Sequence, residues 1–155
     1  MKQILISIKP KWVAKILNGE KTLEIRKTAP KEWADYLNGK TDKPESMIVN
    51  IYCTKGDYIG HIAKRYVGKV VGKVVLYAIS RYYKGFNVIN GRHYTVRGIP
   101  EASCLTIPEI IAYASDLSFY AWHISELEIF DEPKKLSEFK LTRAPQSWCY
   151  VEELL

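Results

Sequence analysis

The sequence predicts an α+β fold rich in β-strand, with a short N-terminal helix and one or two further helices. Short runs in which apolar and polar residues alternate, at 4–8, 22–27 and 120–130, carry the strand part of that prediction. Helical spacing marks segments near 10–17 and 108–114. The chain has 155 residues, enough for one hydrophobic core, so residues 1–155 are read as a single domain.

Ile4, Ile6 and Ile8 alternate with Leu5, Ser7 and Lys9, which predicts a strand with one apolar face. Pro10 suits the first helical position, where a missing N–H is no loss. Behind it Trp12, Val13, Ile16 and Leu17 form an apolar stripe, with Lys11, Lys15 and Asn18 facing away. Asn18-Gly19 ends the helix, because glycine takes the left-handed conformation there. From Thr22 to Lys27 the alternation resumes. Leu23 and Ile25 go to one face; Thr22, Glu24 and Arg26 go to the other.

Residues 28–46 are polar and broken by Pro30, Gly39 and Pro44, which predicts a long loop with a helical turn at Trp33, Tyr36 and Leu37. Residues 47–54 read as a central apolar strand. Residues 67–77 read as a long strand whose Gly68 and Gly72 mark bends or close backbone approach. Residues 82–101 read as loops with a hairpin at Asn90-Gly91. A short helix is expected over 108–114, starting near Thr106 or Ile107. Strands are expected over 120–130, 136–141 and 148–151.

Charge is spread unevenly. The net charge is +6, yet residues 58–100 carry eight bases and no acid, while residues 101–155 carry ten acids against four bases. Tyr58, His61, Tyr66, Tyr77, Tyr82, Tyr83, Phe86, His93 and Tyr94 are interleaved with the bases of the acid-free stretch. Cations beside flat rings suit single-stranded nucleic acid, through phosphate contact and base stacking. Tyrosines packed in a core and solvated lysines would give the same composition.

Other classes are set aside. No run approaches the roughly 20 apolar residues of a membrane span, and the N-terminus has no signal-peptide pattern. Cys53, Cys104 and Cys149 are widely spaced and read as reduced thiols of a cytoplasmic protein. Gly68 to Lys73 lacks the spacing and the hydroxyl of a phosphate loop. His61, His93 and His123 show no metal-ligand spacing, so neither a metal nor a cofactor is expected.

The grouping of Lys21, Thr22, Glu24 and Arg26 is the strongest pointer to a ligand. A hydroxyl, a carboxylate and a guanidinium line up about 7 Å apart on one strand face, with Lys21 in the turn beside them. An exposed Glu24–Arg26 ion pair would look the same in sequence, and such pairs contribute at most about 1 kcal/mol.

The run Ile6-Ser7-Ile8-Lys9-Pro10, followed by Ile16-Leu17-x-Gly19-x-Lys21-Thr22-x-Glu24-x-Arg26, resembles the N-terminal signature of ASCH domains. The strand at 70–75 and the closing Pro145-Gln146-Ser147-Trp148-Cys149-Tyr150-Val151 also look like small bacterial and phage members. The resemblance implies a PUA-like small β-barrel that binds RNA, or a nucleotide or modified nucleoside, in a cleft beside the barrel. Some small members look like amidohydrolases that remove the acetyl group from N-acetylated cytidine. For those, the resemblance implies a Thr nucleophile two positions before the signature Arg, with the motif Lys beside it. Here that position is Glu24, Lys21 matches the Lys, and Thr22 matches the structural Thr of the motif.

A carboxylate is a poor acyl acceptor for amide cleavage. If the protein is an enzyme, Lys21 and Glu24 are its expected catalytic pair, with Glu24 as general base for water and Lys21 or Arg26 at the oxyanion. Glu101 and Glu109 are candidates for a second acid by position only. As a binding site, Lys9 and Lys21 are expected on phosphate, and Arg26 on phosphate or orienting Glu24, with Thr22 beside them. Glu24 is expected to accept from a base edge or to orient Lys21. Gln146, Ser147 and Trp148 are expected to line the same cleft, Trp148 by stacking. A protein-binding adaptor that uses the acidic C-terminal third is the remaining alternative.

Overall fold

The computed structural model describes residues 2–84, 86–89, 92–95 and 98–152, with the backbone alone for 86–89 and 92–95. The chain packs as two compact units. One is built from Met1–Glu20, Ser46–Leu76 and Ser125–Leu155, the other from Lys21–Glu45 and Tyr77–Ile124.

In the first unit, β1 (Gln3–Ile8) runs parallel to β3 (Met47–Cys53), from Gln3↔Ile48 to Ile8↔Cys53. On its other side β1 pairs antiparallel with β8 (Trp148–Val151). A strand flanked on both sides and covered on both faces buries every side chain. Ile4 to Ile8 are accordingly all buried, which corrects the single apolar face that alternation predicts. A parallel pair needs a crossover, and α1 (Pro10–Leu17) begins it. Pro10 opens the helix, Val13 and Ile16 face the core, and Gly19 follows the Asn18 cap at φ 83°.

The strand β4 (Val70–Tyr82) pairs antiparallel with β3. It starts and ends later than the expected 67–77. The register slips between Ile51 and Tyr52, where Gly72 sits opposite. A Cβ on Gly72 would lie 2.5 Å from the Glu128 carbonyl oxygen and 3.3 Å from Ile129 Cα. The close backbone approach expected of this glycine is therefore real. Its neighbour is β7 (Phe119–Lys134), which takes a positive φ of 52° at Glu126. Residues 136–139 form a 3-10 helix instead of the expected strand. Lys135 and Glu138 cap its start, Lys140 ends it at φ 59°, and Phe139 anchors it in a core with Leu5, Tyr52 and Val70.

In the second unit, β2 (Leu23–Arg26) pairs antiparallel with the first part of β7, from Leu23↔His123 to Arg26↔Tyr120. The loop after β2 holds α2 (Lys31–Leu37), with Trp33 buried. Within 82–101, expected as loops with a hairpin, two strands pair as a hairpin requires and a short helix follows. β5 (Phe86–Ile89) and β6 (Arg92–Thr95) pair antiparallel, and α3 (Ile99–Ser103) starts after Gly98 at φ 87°. The expected turn residues Asn90 and Gly91 lie outside the described residues. A capping box between Thr106 and Glu109 starts α4 (Ile107–Tyr113). Leu23, Ile25, Ile99, Ile110, Ala114 and Ala121 pack with Tyr82 and Phe119, whose rings stack at 5.1 Å.

The hydrogen-bonded strand order is β2-β7-β4-β3-β1-β8, a mixed six-stranded sheet, and its ladder is open among the described residues. No helix among them is long and apolar enough to cross a membrane. Gly72→Ala forces the Cβ against backbone that cannot rotate away. It is expected to destabilise the protein by about 2 kcal/mol or more, read as a lower urea midpoint at unchanged slope.

Candidate functional site

The two residues that precede β2 do structural work. The Thr22 N–H donates to the Ala102 carbonyl at 2.9 Å, and the Lys21 ammonium donates to the Ser103 carbonyl at 2.6 Å. These are the last carbonyls of α3, which have no partner inside the helix. The Thr22 carbonyl accepts from the Ile124 N–H at 3.1 Å, so Thr22 is held by its backbone while its side chain stays exposed. Folding itself thus uses part of the grouping: Lys21 and Thr22 fasten α3 to the start of β2.

Glu24 lies one β-strand step further in. Its Oε1 accepts from the Ile25 N–H at 3.1 Å and lies 3.7 Å from Lys21 Nζ. Its Oε2 lies 3.7 Å from Arg26 Nη2, is buried, and has no hydrogen bond. The side chains of Lys21, Glu24 and Arg26 are 1%, 10% and 12% exposed. The group is thus not the exposed strand face of a surface ion pair, but a nearly dry cluster of two cations about one carboxylate. The β2–β7 register puts Trp122 opposite Glu24 and Tyr120 opposite Arg26. Trp122 is fully buried and its Nε1–H donates to the Thr28 carbonyl at 3.3 Å. Sequence reading missed both rings, because cross-strand partners cannot be read from local alternation.

On the opposite face of β7, His123 Nε2 and Ser80 Oγ are 2.9 Å apart, and the Tyr77 ring lies 6.0 Å from the imidazole. Burial holds the His123 pKa below its ordinary 6.5.

Lys9, Gln146, Ser147 and Trp148 belong to the first unit. Lys9 is exposed, and its carbonyl caps the start of α1 by accepting from Trp12 and Val13, each at 3.0 Å. Ser7 holds the 145–147 segment beside it. The Ser7 N–H donates to the Ser147 carbonyl at 2.9 Å and Ser7 Oγ to the Pro145 carbonyl at 2.7 Å. Gln146 is exposed, Ser147 is half-buried, and the half-buried Trp148 ring meets Tyr150 edge-on at 5.5 Å. The eight expected residues therefore fall into two sets, one in each unit.

The acid-free stretch divides by environment. Tyr77 and Tyr83 are exposed, Tyr82 is core, Lys73 pairs with Glu128 at 3.3 Å, and Arg81 donates to Asn38 Oδ1 at 2.6 Å. The side chains of Phe86, Arg92, His93 and Tyr94, and all of Arg97, lie outside the described residues.

Two outcomes are expected. Lys21→Met leaves the Ser103 carbonyl and the Glu24 carboxylate without their buried cation, and is expected to lose about 3 kcal/mol in chemical denaturation. A folded-state pKa below the unfolded one makes His123 bind fewer protons when folded. Its contribution is therefore fully present above about 6.5 and is lost as the pH falls through the folded value. Imidazole proton shifts followed by NMR should place the His123 midpoint below 6.5.

No protein-family model matches the chain, and no curated protein sequence matches it significantly. Solved structures do. The crystal structure of ASCH from Zymomonas mobilis superposes with a TM-score of 0.68 at 20% identity, over 98% of this chain and 89% of that one. A serine-to-alanine variant of that protein gives 0.69 at 19% identity, with the same coverage. A tyrosine-to-phenylalanine variant gives 0.65 at 18% identity, over 99% and 92%. This chain therefore has the fold of an ASCH domain.

Proposed function

We propose that the protein binds RNA, or a nucleotide or modified nucleoside, through the Lys21–Glu24–Arg26 group. The observation that carries this reading is Glu24 Oε2, a buried carboxylate oxygen beside a guanidinium and without a hydrogen bond. Folded proteins rarely leave such an atom unsatisfied. An N–H on a ligand would satisfy it, and nucleobase edges set N–H donors beside acceptors. Arg26 offers N–H donors to such an acceptor or to a phosphate oxygen. Lys21 holds Glu24 in place from the other side. In the first unit Lys9 offers an exposed cation, Gln146 a polar side chain and Trp148 part of a ring face. The ASCH-type fold, the motif resemblance and the acid-free 58–100 stretch support the same reading.

Hydrolysis has less support. It would use Glu24 as base toward water and needs a second acid. Glu109, one of the two expected candidates, accepts from the Thr106 N–H at 3.0 Å as part of the α4 cap. The other, Glu101, is exposed on α3.

Fluorescence anisotropy of a short mixed-sequence single-stranded RNA, titrated at several salt concentrations, tests the proposal. Glu24→Gln is expected to weaken binding about tenfold with the salt slope unchanged, since it removes an acceptor for a base edge. Arg26→Gln is expected to flatten the slope by about 0.7, one phosphate contact on a single strand. No binding by the wild type at low salt would refute the proposal. Equal affinity in both folded variants would refute the site.

A further inference from the structure

We propose that the loop joining β3 to β4, residues 54–69, is a second contact surface for an unpaired RNA strand. The inference rests on the RNA-binding reading above but concerns residues of the first unit that the candidate site does not use.

The loop is long but fixed. Its ends are tied by the Cys53 N–H to the Lys69 carbonyl at 2.9 Å and by the Gly68 N–H to the Cys53 carbonyl at 2.8 Å. Inside it, His61 and Ile62 donate to the Tyr58 carbonyl, Tyr66 to Ala63, and Val67 to Lys64. A loop whose ends meet and which hydrogen-bonds to itself presents a defined surface, and such loops are frequently functional. Thr54 N–H donates to the Ile8 carbonyl at 3.0 Å, so the loop leaves the sheet beside the exposed Lys9.

Its chemistry suits an exposed nucleic-acid strand. Lys55, Lys64 and Arg65 are exposed, Asp57 is the one acid between 54 and 69, and none of the three cations pairs with a carboxylate among the described residues. The Arg65 guanidinium lies 4.6 Å from the Tyr66 ring centroid, and its Nη2 donates to the Tyr66 hydroxyl at 2.8 Å. That bond turns the guanidinium into a pre-set flat cation, on which an unstacked base can lie. Ile59, beside Gly60 at φ 81°, is 78% exposed, the most exposed large apolar side chain among the described residues. An apolar tip among cations has use against the face of a base. Against a duplex the cations alone would serve. A membrane surface fits less well, since one isoleucine buries far less apolar area than stable anchoring requires.

The test uses the full chain and three probes: a single-stranded RNA of about 20 nucleotides, one of about five, and a duplex of the longer sequence. The substituted loop side chains Ile59, Lys64 and Arg65 are exposed, and thermal melts check that they and the buried Glu24→Gln leave the protein folded. Lys64→Gln with Arg65→Gln is expected to weaken binding of the long strand about tenfold near 0.1 M salt and to flatten its salt slope by about 1.4. Ile59→Ser is expected to weaken it several-fold with the slope unchanged. Binding of the short probe should be indifferent to these changes and sensitive to Glu24→Gln. Unchanged affinity and slope for the long strand would overturn the proposal while leaving the Glu24 reading intact. So would a loss seen with the duplex but not with the single strand. Loss in the loop variants together with full affinity in Glu24→Gln would uphold the loop and refute the Glu24 site.

Discussion

The ammonium of Lys21 is the contact on which the second unit's candidate site depends. It is almost wholly buried, with a carbonyl at 2.6 Å and a carboxylate at 3.7 Å as partners. A buried ammonium is tolerated only where such partners repay its lost hydration. The carbonyl belongs to the last residue of α3 and the carboxylate to β2, so one cation both closes a helix and fixes the base of the candidate site. With Thr22 holding the neighbouring carbonyl of α3 by its own N–H, Glu24 is positioned by backbone that cannot shift without unfastening the helix. That rigidity is what a recognition group needs, because a carboxylate already held in place loses little entropy on meeting its ligand.

Charge is arranged differently in the two units. In the second, cations and carboxylate are nearly dry, and their influence is short in range but weakly screened. In the first, Lys9, Lys55, Lys64 and Arg65 stand in solvent, where each is worth little to stability and is free to serve the proposed contact with a polyanion. In the proposed complex salt should therefore separate the contributions: the cations, Arg26 among them, set the slope, and the Glu24 acceptor acts on the intercept. The acid-free composition of residues 58–100 is a poor guide to this division. Lys73, within it, is paired with Glu128, and Tyr82 is a core ring stacked on Phe119.

Much of this organisation was legible in the sequence wherever the signal is local. Pro10, the Val13–Ile16 stripe and Asn18-Gly19 define α1 because capping and helical periodicity act within a few residues. The alternation of Leu23 and Ile25 against Glu24 and Arg26 gave β2 for the same reason. What failed was non-local. The burial of all of Ile4 to Ile8 follows from strands on both sides of β1, which no pattern inside 4–8 reveals. Residues 136–141 read as a short strand in sequence, yet Leu136 and Phe139 lie three apart, and end-capping with the burial of Phe139 winds 136–139 into a helical turn. The motif Lys was noticed as a ligand group, but its helix-closing bond joins residues 82 positions apart.

The identity of residue 24 bears most directly on what the site does. The amidohydrolase resemblance implies a hydroxyl nucleophile there, which needs a proton acceptor and open approach. Glu24 offers no hydroxyl. One of its oxygens is engaged by the Ile25 N–H, and the other faces Arg26 in a nearly dry setting. An acceptor so placed gains from meeting a donor on a ligand, because the donor relieves the penalty of an unsatisfied buried oxygen. It gains nothing comparable from attacking a carbonyl, since the resulting anhydride is high in energy. A carboxylate at this position therefore suits the proposed recognition better than acyl transfer, on a chain with the fold of an ASCH domain.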